Sequence, residues 1–313
     1  MSLEEWLIGA YGDEKFRPGL ERVRAFLAPE LAQLRELAPR VVTVAGTNGK
    51  GETALTLHAW ATDDGRGPVT WTSPHLLRLT ERFRGPAGEI SEEELRALLE
   101  EAHRDRQRAG IGLSYYEILW VAFVRWGLRQ RAPLWILEVG MGGRFDAVNV
   151  VDADLVALPS ISRDHQEFLG VTYRAILGEK LGVWRPRARL VSALESRYLR
   201  DLVRMQAVGP WEDLWESGAV SAADDFSARN QALAARIWHH LGGGAPPSRP
   251  ALPGRGEVWE WEGHRWVFYG SHNPDGLRKL VHFLRGGSYN RPEEKFHQIW
   301  AAFSRRPPRD LRV

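Results

Sequence analysis

The stretch Val41-Val-Thr-Val-Ala45, followed at once by Gly46-Thr-Asn-Gly-Lys-Gly51, decides the fold. Its β-branched residues predict a strand, its glycines predict a loop, and the apolar-periodic segment that continues through Trp60 predicts a helix. A second short strand, Val69-Thr-Trp-Thr72, follows. A strand, a helix and a second strand at this spacing form a βαβ unit, so we expect an α/β fold with a parallel sheet flanked by helices.

The chain continues this alternation as far as residue 240. Ser91-Glu-Glu-Glu94 has the pattern of a capping box and predicts the start of a helix. The helix that begins at Tyr115 has no polar face, so we expect it to be buried against the sheet. Further strands are predicted at 134–139, 154–159 and 189–193, and helices at 91–107, 115–130, 175–182, 196–205 and 227–240.

A glycine- and proline-rich segment at 242–250 predicts a linker between two domains, because such residues neither continue a helix nor pair fully in a sheet. It divides the chain into a larger domain at 1–250 and a small α/β domain at 251–313. In the smaller part we predict a hairpin from strands at 257–261 and 265–269, a helix at 274–285 and a strand at 297–303.

Composition and charge exclude several classes of protein. The chain has 313 residues, enough for about two domains. Its net charge of +2 and its scattered arginines argue against nucleic-acid binding, and the absence of cysteine excludes disulfides and thiolate chemistry. The sequence has no pattern of a membrane span or a signal peptide, so we expect a cytoplasmic protein with no membrane partner. It has no patterned interface, and we expect a monomer.

The glycine loop has the chemistry of a phosphate-binding site. Glycines let backbone N–H groups approach a phosphate, the helix N-terminus adds partial positive charge, and Lys50 supplies a full charge. Only five of the 42 basic residues are lysines, so a lysine at this position is a stronger signal than usual. The spacing differs from the standard Walker form, and the alternative is a glycine-rich turn with a solvated lysine. We favour a P-loop-type phosphate site.

Two predicted strands end in candidate metal ligands. Glu138 ends an apolar strand at the edge where parallel sheets bind ligands, which makes it a candidate ligand of Mg²⁺ against the phosphates. The alternative is a glutamate that simply ends a strand. Asp164-His165 follows the next strand, where His165 is either a second metal ligand or an ordinary loop histidine.

Two other segments have weaker signals. The residues alone favour a solvated Lys180 beside Glu179. The segment 269–274 runs from a strand into a helix, where His272 and Asn273 either reach a nucleotide or cap the helix.

Taken together, these segments resemble folylpolyglutamate synthase/dihydrofolate synthase, a branch of the Mur ligase superfamily. The resemblance extends over nearly the whole chain, and the order and number of its motifs make it more specific than one glycine loop. The motifs are Phe16-Arg-Pro-Gly-Leu-Glu-Arg22, Val44-Ala-Gly-Thr-Asn-Gly-Lys-Gly51, Thr72-Ser-Pro-His-Leu76 with Glu81-Arg82, Leu137-Glu-Val-Gly-Met-Gly-Gly-Arg-Phe-Asp146 with Asn149, Asp164-His-Gln-Glu-Phe-Leu-Gly170, Glu179-Lys-Leu-Gly182, Arg229-Asn230, Pro253-Gly-Arg255 and Ser271-His-Asn-Pro274.

The resemblance implies an ATP-binding domain of the Mur ligase type at 1–250 and a shortened C-terminal domain at 251–313. It also implies an ATP-dependent amide ligase. MgATP would phosphorylate a carboxylate of a pteroate or folate, and the amino group of L-glutamate would then displace phosphate. The substrates would be ATP, L-glutamate and dihydropteroate or tetrahydrofolate, and the cofactor would be Mg²⁺ at two sites.

Carried over to this chain, the resemblance assigns roles to individual residues. Lys180, carbamylated by CO₂, becomes an oxygen ligand, which overturns its interpretation as a solvated lysine. The catalytic group is Lys50, Glu138, His165 and Lys180, and the metal ligands are Ser73, Glu138, His165 and Lys180. ATP would contact Gly46, Thr47, Asn48, Gly49, Lys50, Gly51, Glu52, Thr53, Asn230, Arg255, His272 and Asn273. The folate side would comprise His75, Arg82, Arg144 and Asp146.

This sequence departs from the family at the nucleotide site. Glu52 stands where the family has a small hydroxyl residue, and we expect its carboxylate to repel ATP unless it turns away or recruits a metal ion. Tyr269 stands where the family has an aspartate, and the C-terminal part is shorter than the family's. A degenerate ATP-binding homologue without ligase activity is therefore the alternative function.

Overall fold

The structure, a computed structural model, describes residues 2–14, 17–222, 224–270, 273, 275–278 and 280–281. The strand predicted at 297–303, half of the helix predicted at 274–285, and His272 lie outside the described residues.

Strands and helices alternate through most of the described chain. The helices are α1 (Leu3–Tyr11), α2 (Glu21–Phe26), α3 (Ala28–Leu37), α4 (Lys50–Asp63), α5 (Glu92–Ala109), α6 (Tyr115–Arg129), α7 (Gln166–Leu169), α8 (Tyr173–Leu181), α9 (Arg197–Met205) and α10 (Phe226–His240). The strands are β1 (Arg40–Val44), β2 (Pro68–Trp71), β3 (Phe83–Gly85), β4 (Gly88–Glu89), β5 (Leu134–Glu138), β6 (Leu155–Leu158), β7 (Arg189–Ser192), β8 (Trp211–Asp213), β9 (Arg255–Trp261) and β10 (His264–Tyr269).

Among the described residues, eight strands form one sheet in the order β4-β3-β2-β5-β1-β6-β7-β8. The strands from β2 to β8 in this order are parallel, and β3 and β4 are antiparallel additions at one edge. Because helices cover both faces, the central strands are apolar on both sides: every residue of β5 is buried. The predicted α/β fold with a parallel sheet is confirmed, and β1, which precedes the glycine loop, lies in its centre.

The helix predicted to be buried, α6, is buried. Every residue from Ile118 to Val124 is inaccessible to solvent, and the helix lies in the core of one face of the sheet. Its start is set by a capping box: Ser114 Oγ accepts a hydrogen bond from Glu117 N, and the Glu117 carboxylate accepts one from Ser114 N. The aromatic part of this core, around Trp71, Trp120 and Phe123, packs through edge-on and stacked contacts.

The opposite face of the sheet is covered by α4 and α10. Leu57 of α4 and Leu233 and Ile237 of α10 pack against Val42 and Val44 of β1 in a second apolar cluster. Successive residues of β1 point to opposite faces, which explains how one strand serves both cores. The helix that carries the phosphate loop is therefore held between the sheet and α10.

A hairpin follows the large sheet in the described chain. The strands predicted at 257–261 and 265–269 form the antiparallel pair β9 and β10. The preceding segment 242–250 runs along α4, where Trp60 Nε1 donates a hydrogen bond to the carbonyl of Ser248 (3.1 Å). In the part of the chain that the structure describes, no helix is both long enough and apolar enough to cross a lipid bilayer.

Candidate functional site

A cavity of about 680 Å³ opens at the carboxyl ends of the parallel strands. This is the edge at which open α/β sheets bind ligands, because the loops after several strands converge there. Its walls bring together residues that are far apart in the chain. They include the whole glycine loop together with Ser73, Glu138, Asp146, Asp164, His165, Lys180, Asn230 and Arg255.

The glycine loop is held in place by hydrogen bonds to Ser160, and the helix that follows it has no side-chain cap at its start. Gly49, with φ of 88°, occupies the N-cap position of α4 in the left-handed region that favours glycine. Thr47 N donates to the carbonyl of Ser160 (2.8 Å), and Asn48 N donates to Ser160 Oγ (2.9 Å). No side chain caps the start of α4 in the described structure. The first N–H groups of this helix are therefore available to an anion, as the glycine pattern predicts.

Lys50 lies over this loop. Its Nζ donates a hydrogen bond to the carbonyl of Thr47 (3.1 Å). Its charge also acts on Glu138, where burial raises the pKa of the carboxyl group while the Lys50 ammonium and the Arg255 guanidinium oppose that rise. A cation, a carboxylate and an open helix N-terminus thus face one another in one cavity.

Glu138 ends β5, Ser73 lies two residues after the neighbouring strand β2, and the two residues are in contact. Ser73 N donates to Glu138 Oε2 (3.1 Å), and both side chains are buried. Among the described residues, the buried Ser73 hydroxyl has no hydrogen-bond partner. A carboxylate and an unpaired hydroxyl are oxygen ligands of the kind that Mg²⁺ prefers, so these residues fit a divalent cation.

Lys180 is buried beside the loop. Its side chain is 4% exposed and its Nζ donates to the carbonyl of Gly46 (2.9 Å). Burial, together with the charge of Lys50, lowers the pKa of Lys180 to about 7. The interpretation as a solvated lysine beside Glu179 is wrong, because the Lys180 side chain is buried; Glu179 pairs with Arg144 (3.2 Å).

His165 stands at the cavity wall with a left-handed backbone (φ 49°), immediately before α7. Its Nε2 lies 3.8 Å from Asp164 Oδ1. Among the described residues, no three or more histidine, aspartate or glutamate side chains lie close enough together to hold a metal ion. His165 as a metal ligand therefore stays a prediction.

Residues after the hairpin reach the glycine loop. Asn273 Nδ2 donates to Asn48 Oδ1 (2.8 Å) and to Asp164 Oδ2 (3.0 Å). Asn48 Nδ2 in turn donates to Asp275 Oδ2 (3.0 Å). Asn273 Oδ1 also accepts a hydrogen bond from Gly276 N (2.8 Å), which is the helix-capping alternative, so Asn273 both caps the residues that follow it and lies against the phosphate loop. Its contact with a nucleotide stays a prediction.

Glu52 turns toward α10. Its carboxylate accepts hydrogen bonds from Ser227 Oγ, from Asn230 Nδ2 (2.7 Å) and from Arg249 (3.2 Å). Burial raises the pKa of this carboxyl group, and the hydrogen bonds oppose the rise. Three donors satisfy the carboxylate. Thr53, the next residue, is fully buried and donates to the carbonyl of Gly49 (2.9 Å).

The four residues predicted on the folate side have different surroundings. Asp146 lines the cavity but is 2% exposed and accepts hydrogen bonds from the backbone of Gly140 and Met141; burial raises its pKa to about 6. The other three belong to the described chain but are not part of the cavity wall; they are His75, Arg82 and Arg144.

Arg82 is buried and forms an ion pair with an acidic residue. It is 1% exposed and donates two hydrogen bonds to the carboxylate of Glu14 (2.9 and 2.8 Å) and one to His75 Nδ1 (3.0 Å). Glu14 itself lines the cavity. Sequence reasoning missed Glu14, because nothing in its local pattern indicates a partner 68 residues away.

Two further residues at the site were missed. Ser160, which supports the glycine loop, follows β6 at the ligand-binding edge, and that position is a signal that sequence reasoning had available. Tyr116, within the apolar helix α6, donates to Asp146 Oδ1 (3.2 Å) and accepts from Trp71 Nε1 (3.2 Å). Its place in an apolar run gave no such signal.

Comparison with known proteins agrees with the motifs. Over 168 residues, 53% of this chain and 39% of the relative, the chain is 42% identical to the dihydrofolate synthase/folylpolyglutamate synthase of Escherichia coli K12. Over 237 residues, 71% of this chain and 55% of the relative, it is 29% identical to the Bacillus subtilis protein of the same name. No family model matches the chain.

Solved structures have the same architecture. A bifunctional folylpolyglutamate synthase/dihydrofolate synthase with Mn, AMPPNP and L-glutamate bound superposes with a TM-score of 0.76 at 29% identity, over 91% of this chain and 74% of that one. Escherichia coli FolC in complex with DHPP and ADP superposes with a TM-score of 0.76 at 28% identity, over the same shares of the two chains. The Mycobacterium tuberculosis folylpolyglutamate synthase with ADP superposes with a TM-score of 0.77 at 22% identity, and this likeness supports the fold alone.

The fold and the loop define an α/β protein of the P-loop type, with its phosphate site at the centre of a mainly parallel sheet. Within that class the chain is similar to the dihydrofolate synthase/folylpolyglutamate synthases, and the resemblance predicted from the motifs is confirmed. The matched segments span 39% and 43% of the Escherichia coli and Haemophilus influenzae relatives.

Proposed function

We propose that the chain is an ATP-dependent ligase that joins L-glutamate to a carboxylate of a pteroate or folate. One observation carries the proposal: an open helix N-terminus with Lys50, the Ser73–Glu138 pair and the buried Lys180 face the same cavity. A reaction between a triphosphate and a carboxylate needs these groups together, because two anions must be brought into contact.

The names and ligands of similar proteins support this reaction. Solved structures similar to this chain hold AMPPNP, Mn and L-glutamate in one case and DHPP and ADP in another. The curated relatives are named for dihydrofolate synthesis and folylpolyglutamate synthesis. We carry both to this chain and propose dihydropteroate or tetrahydrofolate as the acceptor of glutamate.

The proposed reaction has two steps. A carboxylate oxygen of the folate substrate attacks the γ-phosphorus of ATP, the bond to the β-phosphate oxygen breaks, and ADP leaves. The neutral amino group of L-glutamate then attacks the acyl carbon, the bond between that carbon and the phosphate oxygen breaks with its electrons going to phosphate, and the nitrogen loses one proton as the amide forms. The N-terminus of α4 and Lys50 would hold the phosphates through both steps, since negative charge develops there each time.

Ser73 and Glu138 would hold one Mg²⁺ ion, and His165 with Glu138 and Lys180 would hold a second. Bound there, Mg²⁺ supplies neutralisation of the triphosphate charge. A pKa of about 7 leaves much of Lys180 as the neutral amine at physiological pH, the form that reacts with CO₂. We propose that Lys180 is carbamylated and so provides oxygen ligands. Mass spectrometry under native conditions with ¹³C-bicarbonate tests this: label on Lys180 is expected, and a K180R chain is the control.

The remaining site predictions complete the proposal. Asn230, Arg255, His272 and Asn273 would contact ATP. His75, Arg82, Arg144 and Asp146 would shape the folate side, with Arg82 and Asp146 acting through Glu14 and the loop after β5. The proposed enzyme is a cytoplasmic monomer with domains at 1–250 and 251–313.

The decisive experiment is ADP release by the purified chain with MgATP and dihydropteroate, with and without L-glutamate, repeated with tetrahydrofolate. The expected result is glutamate-dependent ADP release and a product heavier by one glutamyl unit. E138Q should abolish turnover, whereas E212Q, which changes a partly buried carboxylate bound to Arg236 and His240, should not. Nucleotide binding without turnover on either substrate would establish the alternative, a degenerate ATP-binding homologue.

A further inference from the structure

Glu52 is a charged residue buried in the first turn of the phosphate-loop helix. Its side chain is 4% exposed, and it is held by donors from two separate parts of the chain. Ser227 and Asn230 reach it from α10, and Arg249 reaches it from the segment that precedes the hairpin. A hydroxyl has too few acceptor positions for three donors, whereas a carboxylate has about four. The carboxylate thus makes a junction that a serine or threonine does not make.

Arg249 connects this junction to the residue that begins β9. The same terminal nitrogen, Nη2, donates to Glu52 Oε1 and to the carbonyl of Arg255, each at 3.2 Å. The backbone of Arg255 is thereby tied to the N-terminal turn of α4. Its neighbour Gly254 is tied in turn to Gly270, whose N–H donates to the Gly254 carbonyl (2.7 Å).

The side chain of Arg255 lies over the phosphate loop. A Cβ atom on Gly51 would stand 2.5 Å from its Nη2, so the guanidinium sits directly against the loop backbone. Among the described residues, its buried Nε has no hydrogen-bond partner. Its charge also acts on both Glu52 and Glu138. A cation at this place would neutralise a bound phosphate.

We propose that Glu52 and Arg249 are positioning residues that hold Arg255 against the phosphate loop. The inference rests on the proposed function only in that the anion is the phosphate chain of a nucleotide. Glu52 acts through Arg249 rather than on the ligand. The carboxylate of Glu52 therefore supports nucleotide binding, because it holds Arg249, which in turn binds the Arg255 backbone beside the loop.

The test is binding of the Mg²⁺ complex of a non-hydrolysable ATP analogue, measured by calorimetry for the wild type, R249A, E52Q and the double variant. R249A and E52Q should each raise Kd roughly tenfold, equivalent to ~1.4 kcal/mol, and the double variant should bind no worse than either. R249K, which keeps the charge, should recover part of the affinity. R204A removes a surface ion pair with Glu216 and should bind like the wild type.

Urea unfolding of each variant separates positioning from folding. If R249A lowers stability while its Kd equals that of the wild type, Arg249 is merely structural and the inference is wrong. Additive losses in the double variant would also overturn it, since residues 52 and 249 would then act independently. A wild-type chain that binds no nucleotide would overturn the proposed function and this inference together. If R249A does not fold, R249K and E52Q still decide, because neither leaves a large cavity.

Discussion

Alanine at position 49 would test whether the phosphate loop has the conformation described above. Gly49 has φ of 88°, a left-handed conformation that costs an L-residue ~1 kcal/mol. A Cβ atom there would also stand 2.4 Å from Asn230 Oδ1 and 2.8 Å from its Cγ and Nδ2. Asn230 cannot move aside without losing the 2.7 Å hydrogen bond from its Nδ2 to the buried Glu52. Loss of a hydrogen bond to a charged group adds ~2 kcal/mol.

We therefore expect G49A to lower the free energy of unfolding by ~3 kcal/mol and to weaken nucleotide binding at least tenfold, because Asn230 is displaced into the cavity. The measurements are urea unfolding followed by far-UV circular dichroism, and calorimetric binding of an ATP analogue with Mg²⁺.

The matched control is G65A. Gly65 has a similar left-handed φ of 70°, yet a Cβ atom there meets no atom within 4 Å. It should lose only the ~1 kcal/mol of backbone strain and keep its nucleotide affinity. If G49A and G65A lower stability equally and both bind the nucleotide like the wild type, the contact between Gly49 and Asn230 does not exist in solution.

Three further changes have calculable outcomes. Burial lowers the pKa of His58 from 6.5 to about 4, so between these pH values the unfolded chain binds more protons than the folded chain. The free energy of unfolding should therefore fall by up to ~3 kcal/mol as the pH drops from 6.5 to 4. Urea titrations of H58N should lose that pH dependence. E14Q leaves the buried Arg82 without its carboxylate and should lower the free energy of unfolding by ~1–2 kcal/mol. The loss is smaller than for a fully buried pair because Glu14 is 37% exposed. Thermal unfolding measures this, and an unchanged melting temperature would contradict it. G127A places a Cβ 2.6 Å from the ring of Trp135 and should cost ~2–3 kcal/mol by urea unfolding, whereas no loss would mean that the indole has room to move.

Much of the fold was predictable because its elements have strong local signals. The strands β1, β5 and β6 are apolar runs, and the helices α5 and α6 begin at capping serines, so each was predicted within about two residues of its observed bounds. The edge strand β8 was not predicted. Its three residues, Trp211 to Asp213, are partly polar, and only pairing with β7 makes them a strand.

The candidate site likewise has residues that the local sequence predicts and contacts that it does not. Lys50 was predicted from the glycine loop between a strand and a helix, and Glu138 from its place at the end of a strand in a parallel sheet; both are local features of the sequence. The surroundings of charged residues depend instead on partners far along the chain. Arg82 has its ion pair with Glu14, and Glu52 has donors from α10, and neither pairing leaves a trace in the local sequence.

The hydrogen bonds that run from Trp71 through Tyr116 to Asp146 join the aromatic core to the loop after β5. Trp120, which is not in the cavity wall, packs against Trp71, the first residue of that chain of bonds. A substitution that repacks Trp120 should therefore also shift the loop after β5, through Trp71 and Tyr116. A library that randomises Trp120 and selects for activity should accordingly recover compensating substitutions near Asp146.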